Sequence, residues 1–126
     1  MGTFRQRIEI AATPDGPFEA LDALVDSGAT YAWVPASLLE RLGVEPIDTE
    51  TFIMADGSHV QRHVGEITVR LDGRTRTTMV IFGDEGYSPS LGAVALEELG
   101  LGVDPVSAHL VRVPGYLASP RLRERP

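Results

Sequence analysis

Along most of this chain apolar residues fall at every second position in short runs bounded by Asp-Gly and Pro-containing turns, the pattern of strands with one covered face. Residues 4–10 (FRQRIEI) read as an opening strand, and TPDGP at 13–17 as a turn in which Asp15-Gly16 supplies positive φ. Residues 18–25 (FEALDALV) form the next strand, more apolar toward its end and running into Asp26. TFIMA (51–55), the turn Asp56-Gly57, HVQRHVGEITVRL (59–71), the turn Asp72-Gly73 and RTRTTMVIF (74–82) continue the strand pattern. Within them Ile67, Val69 and Leu71 alternate with Glu66, Thr68 and Arg70, as one buried face requires.

The period changes twice. At 35–43 (PASLLERLG), Pro35 suits a first helical position, Leu38, Leu39 and Leu42 share a face, and Gly43 provides a stop. After a loop at 83–89 (GDEGYSP), SLGAVALEELG gives a second short helix ended by Gly100. A last hairpin pairs 101–103 with 109–113 around Asp104-Pro105, and 114–126 is a loose end. Leu39-Glu40-Arg41-Leu42-Gly43 is echoed by Leu96-Glu97-Glu98-Leu99-Gly100, consistent with two similar halves that each run from strand to loop to helix. The expectation is one mainly β domain over 1–113, a small closed barrel with two short helices, and a tail.

Composition narrows the chemistry. The length of 126 residues allows one core, and 43% apolar with 23% charged residues is ordinary globular usage, against disordered, collagen-like or coiled-coil readings. Acids outnumber bases 18 to 11, a net charge of −7, which argues against a nucleic-acid backbone as partner. Cys, Lys and Asn are absent, which removes disulfides, thiolate nucleophiles, Cys-ligated metals, Schiff-base chemistry and a P-loop lysine. All bases are Arg, and Arg112, Arg121, Arg123 and Arg125 make the end of the chain locally basic, more in keeping with a solubilising tail than with an acidic partner. The first residues lack the apolar run of an export signal, and no stretch approaches the ~18 apolar residues of a membrane span, so a cytoplasmic protein with no membrane partner is expected.

Leu24-Val25-Asp26-Ser27-Gly28-Ala29 is the segment that most needs explaining. A carboxylate placed after a buried strand costs free energy unless it is paired or shares a proton. Gly28 lets the backbone turn and bring its N–H to that carboxylate, while the Ser27 hydroxyl can bond to a neighbouring loop. Two readings stay open on these residues alone: a carboxylate at the floor of a cleft, or an Asx-turn at a strand end.

The chain resembles the retropepsin-like (retroviral-type) aspartic proteases, especially their compact single-lobe bacterial relatives. Their signature of two hydrophobic residues followed by Asp-Thr/Ser-Gly-Ala/Ser is met at Leu24 to Ala29, with Ser27 in place of the commoner Thr. Their second element, apolar residues and a Gly leading into a short helix, is met at Ser90-Leu91-Gly92-Ala93, with Ser90 where an apolar residue is usual. Phe52 to Val60 around Asp56-Gly57 is similar to the flap hairpin between them. The resemblance covers residues 8–113 and implies Asp26 as the catalytic group, supported by Ser27, Gly28 and Ala29, with Leu91 and Gly92 in a second loop behind it. It also implies a flap from Met54 through Ala55, Asp56, Gly57 and Ser58 to His59 that closes on an extended peptide.

Peptide hydrolysis by carboxylates alone takes one as general base and one as general acid. The chain has one such motif, so a protease of this kind works as a homodimer with one Asp26 from each chain, and needs no metal or organic cofactor. The alternative is a dimeric peptide-binding or assembly module of the same fold that does not cleave; a third is a domain that needs a longer partner chain. Met54 and Ile53 fit core packing as readily as a flap. His59 and His63 lie ~13 Å apart on a strand, too far to share an ion, and no nucleophile elbow accompanies Ser27. His109 reads as structural, Asp22 as a solvated acid, and Trp33 as core more than pocket wall.

Overall fold

The computed structural model describes residues 3–115 together with 117 and 118. Among them β1 (Phe4–Ala11), β2 (Glu19–Val25), β3 (Ala32–Pro35), α1 (Ala36–Leu42), β4 (Asp48–Ile53), β5 (His59–Leu71), β6 (Arg74–Gly83), β7 (Ser90–Leu91), α2 (Ala93–Glu98), β8 (Leu101–Asp104) and β9 (His109–Arg112) follow one another. The class is mainly β, as the alternation predicts. The order β1-β2-β7-β3-β6-β5 closes on itself because β1 also pairs with β5, and β4 hangs outside on the free end of β5. At that closing seam Glu9 faces Arg70, whose Nε and Nη2 donate to its two carboxylate oxygens at 3.0 Å, holding the Glu9 carboxyl below its ordinary pKa.

The strands bury what their sequences offer. Ile10, Val25, Leu39, Ile67, Val69, Val80, Leu91 and Leu99 are at most 1% exposed and fill the barrel and the space beneath the helices. Full burial of one such side chain contributes about 1.5–3 kcal/mol. Thr68, expected on the outward face, is buried too, beside Ala11 in the β1 pairing. β8 and β9 form a separate hairpin, and no described helix is long and apolar enough to cross a membrane.

Two interleaved halves organise the barrel. β2, a loop, β3 and α1 make the first; β6, a loop, β7 and α2 make the second. β2 runs parallel to β7, and β3 parallel to β6, so each half contributes to the other's ladder. The repeated Leu-Gly ending falls on the ends of α1 and α2, where Gly43 (φ +86°) and Gly100 (φ +71°) both take the left-handed conformation that side chains resist.

Several boundaries differ from the sequence reading. The sequence pattern does not predict β3: its four residues gain stability from two flanking ladders and show too short an alternation to be read. Pro35 ends β3 and precedes α1, and Ser90-Leu91 is a strand wedged between β2 and β3, with α2 starting only at Ala93. β4 begins at Asp48, because Asp48-Thr49-Glu50 pair with Val64, His63 and Arg62 although both faces of that stretch are exposed. The expected tail, 114–126, lies for the most part outside the described residues.

Candidate active site

Asp26 leaves β2 at the point where Val25 is buried and the strand is held on β7. Leu24 N donates to Pro89 O at 2.8 Å and Asp26 N to Leu91 O at 3.0 Å, so the second half fixes the backbone on both sides of the buried Val25. Beyond Asp26 the chain folds back: Gly28 N donates to Asp26 Oδ1 at 3.0 Å and Ala29 N to Asp26 O at 3.1 Å. This is the Asx-turn, and it is also the floor of a cleft. The two readings of the motif describe one arrangement, in which the turn spends Oδ1 on a backbone N–H and orients a half-buried carboxylate.

Gly92 seats the second loop against this one. A Cβ there would lie 2.7 Å from Thr30 C and 2.8 Å from the carbonyl oxygens of Ala29 and Thr30, closer than any side chain tolerates. The approach lets Ala93 N and Val94 N, the first donors of α2, bond Ala29 O at 2.8 Å and Thr30 O at 2.9 Å. Orphan N–H groups of a helix start and carbonyls of an irregular loop thus satisfy one another. Leu91, 1% exposed, packs beneath.

The cleft above the loop has a volume of about 750 Å3, within the range of ligand sites. Asp26, Gly28 and Ala29 form its floor; Tyr31, Trp33 and Ile81 one wall; Phe52, Ile53, Met54, Ala55 and Val60 the underside of the β4–β5 hairpin. Tyr31 meets Phe52 edge to face at 6.2 Å, linking floor and hairpin. At the hairpin tip Met54 N bonds Ser58 O at 2.7 Å, Gly57 takes φ +86°, and Asp56 Oδ1 accepts from Ser58 N (2.9 Å) and Oγ (2.6 Å), which lowers the Asp56 pKa. Ile53 is 71% and Met54 41% exposed, which removes the core reading for both.

Of the expected flap residues, Met54 and Ala55 line the cleft, while Asp56, Gly57, Ser58 and His59 form the tip and the start of β5 outside it. Trp33 is a correction: it stands in the cleft wall, half-buried, with its ring edge-on to Tyr87 at 6.5 Å. It reaches there across Gly83, where a Cβ would fall 2.2 Å from Trp33 Nε1. Phe52 and Val60, the ends of the expected hairpin, and Ser90 of the second element also line the cleft; sequence reasoning missed Thr30, Tyr31, Thr51, Arg62 and Ile81 there. Alternate positions on the hairpin strands could have flagged Phe52, Val60 and Arg62 as one face; the remainder depend on the crossing of the two halves.

His63 Nδ1 lies 3.0 Å from Thr49 Oγ1 at the hairpin's base, and His109 is exposed at the start of β9, so neither reaches Asp26 or the cleft. Asp22 pairs with Arg7 at 3.5 Å on the surface. Among the described residues no cluster of three His, Asp or Glu side chains has metal-binding geometry.

A closed β lobe with an Asp-Ser-Gly loop on the floor of a cleft and a hairpin above it defines the retropepsin-like class of aspartic protease. The chain belongs to the aspartyl protease family, which it matches over residues 10–92, a span that holds both Asp26 and Gly92. It is similar in structure to the protease of simian foamy virus, with 26% identity over 75% of this chain and 92% of that one and a TM-score of 0.55. A retropepsin-like aspartic protease of Rickettsia conorii shares the fold at 21% identity, over 82% and 88% of the two chains, TM-score 0.52. So does a Legionella pneumophila protein of unknown function, at 18% identity over 85% and 92%, TM-score 0.53. No curated protein matches the chain.

Proposed function

We propose that the protein is an aspartic endopeptidase that works as a homodimer, with Asp26 of each chain meeting at the two-fold axis. The observation that carries this reading is the Asp26 loop: a carboxylate on a cleft floor, fixed from behind by backbone bonds to the second half, with no second acid among the described residues that line the cleft. One carboxylate supplies a base or an acid, and amide hydrolysis needs both. Two Asp26 side chains meeting at the axis supply both roles by holding one proton between them.

With that proton shared, the ionised member takes a proton from a water lying between the two. The water oxygen bonds to the peptide carbonyl carbon while the protonated member gives its proton to the carbonyl oxygen. The tetrahedral intermediate collapses as its C–N bond breaks: the Asp26 that took the water's proton gives it to the leaving nitrogen, a hydroxyl of the intermediate gives its proton to the other Asp26 as the carboxyl product forms, and the pair returns to its one-proton state. The β4–β5 hairpin holds the peptide extended against its exposed Ile53 and Met54, and its closure excludes bulk water.

The test is cleavage of a peptide library read by mass spectrometry from pH 4 to 8, with Asp26→Asn beside the wild type. The expected result is cleavage that falls by roughly 10²- to 10⁴-fold or more in Asp26→Asn, the range of a general acid-base group. Cleavage retained at wild-type rate in Asp26→Asn contradicts the reading.

A further inference from the structure

Two oppositely charged side chains line the cleft, Asp26 on the floor and Arg62 on the hairpin arm. Arg62 projects from β5, opposite Glu50 in the β4 ladder, and its side chain is 24% exposed. A guanidinium has five N–H donors. Its Nη1 donates to Gln61 O at 2.8 Å and its Nη2 to Asp84 Oδ2 at 2.9 Å. Nε is shielded from solvent and meets no acceptor among the described residues, so the group's bonding is incomplete. Arg62 and Asp84 together also line a neighbouring cavity of about 410 Å3, which places the guanidinium on the border of cavity and cleft.

The surroundings sharpen its charge. Tyr31, Trp33, Phe52, Val60 and Ile81 give the cleft an aromatic and aliphatic wall, where a cation with a planar donor fork is matched by a carboxylate. Asp84 is 55% exposed, and an ion pair with one partner in water is held weakly enough to be shared or exchanged.

We propose that Arg62 is a specificity-determining residue that receives the carboxylate of an Asp or Glu side chain of the peptide in the cleft, the guanidinium dividing its donors between that carboxylate and Asp84. This rests on the peptide-binding reading of the cleft. It predicts a substrate with an acidic residue near the cut and apolar residues beside it, recognised by a protein that is itself acidic.

The test uses pools of short randomised peptides in which one position at a time is fixed as Glu or as Gln. Cleavage is read by mass spectrometry with the wild-type dimer, and binding by fluorescence anisotropy with Asp26→Asn. At one position the Glu pool is expected to be cut and bound roughly ten- to a hundredfold better than the Gln pool, the usual worth of a charge-assisted hydrogen bond. Arg62→Gln brings that ratio to about one, and Asp84→Asn, which releases the guanidinium, raises it. A variant that merely loosens the hairpin weakens both pools alike and leaves the ratio unchanged; that result for Arg62→Gln overturns the proposal, as does equal treatment of Glu and Gln at every position. Preferential binding of Glu without wild-type cleavage upholds Arg62 and sinks the endopeptidase reading, cleavage without preference does the reverse, and a protein that neither binds nor cuts any pool overturns both.

Discussion

The two halves of the barrel solve the same local problem in different ways. α1 and α2 each begin without a side-chain cap of their own, and each is capped by the loop of the opposite half. The loop at Asp26 caps α2 with its backbone, through Ala29 O and Thr30 O. The loop after β6 caps α1 with a side chain, Glu85, whose two oxygens accept from Ser37 N at 3.1 Å and Ser37 Oγ at 2.6 Å. A backbone cap needs the chains almost in contact, so Gly92 stands where the first half has Pro35. A carboxylate reaches across the gap and needs no such approach. The cost is that the second half uses its acid as a strut, whereas the first keeps the carboxylate of Asp26 at the cleft floor. Asymmetry in capping thus separates the half that holds Asp26 in the cleft from the half that supports it.

That contrast fails if Gly92 is replaceable. Gly92→Ala drives a methyl into the Ala29–Thr30 backbone, and overpacking of this kind costs about 3 kcal/mol or more. Urea denaturation should show that loss, with cleavage falling alongside because the floor moves. A midpoint equal to wild type would remove the close approach from the account.

Gly83→Ala tests the wall that the second half lends the first. Its Cβ would collide with Trp33, the chain's one tryptophan, so the ring must leave its seat. The expected outcome is a shifted Trp emission and a KM raised more than kcat is lowered, with a smaller stability loss than Gly92→Ala. Unchanged emission would mean that Trp33 does not rest on Gly83.

The smallest effect belongs to Glu85. Its bonds to Ser37 hold its carboxyl below the ordinary value of 4.5. A lowered folded-state pKa gives stability that is present above the unfolded value and lost as pH falls through the folded one. Glu85→Gln should therefore lower Tm slightly at pH 7 and flatten the dependence of Tm on pH at and below about 4.5, leaving cleavage nearly unchanged. A Tm profile identical to wild type would show that α1 starts without help from Glu85.

Much of this architecture is legible in the sequence. The Asp-Gly turns and the alternation of Ile67, Val69 and Leu71 mark strands because local geometry and burial agree there. Leu24 to Ala29 and Leu91-Gly92 mark the floor because an acid directly after a buried strand stands out, and because the close approach at Gly92 demands glycine. What stayed hidden depends on the crossing of the halves. β3 and β7 are strands only because each lies between two others, Glu85 and Ser37 are 48 residues apart, and Trp33 becomes a wall only by leaning over Gly83. Alternation puts Arg62 on one hairpin face with Phe52 and Val60, but which face turns into the cleft depends on the assembled fold.

In the proposed mechanism catalysis needs Asp26 from two chains at once. Wild-type and Asp26→Asn chains would be co-refolded in varied proportions at constant total concentration, so that the proposed dimer would form as wild-type, mixed and mutant pairs in statistical ratio. If only dimers with two Asp26 residues are active, specific activity falls as the square of the wild-type fraction. A linear fall would contradict it and assign the chemistry to a single chain.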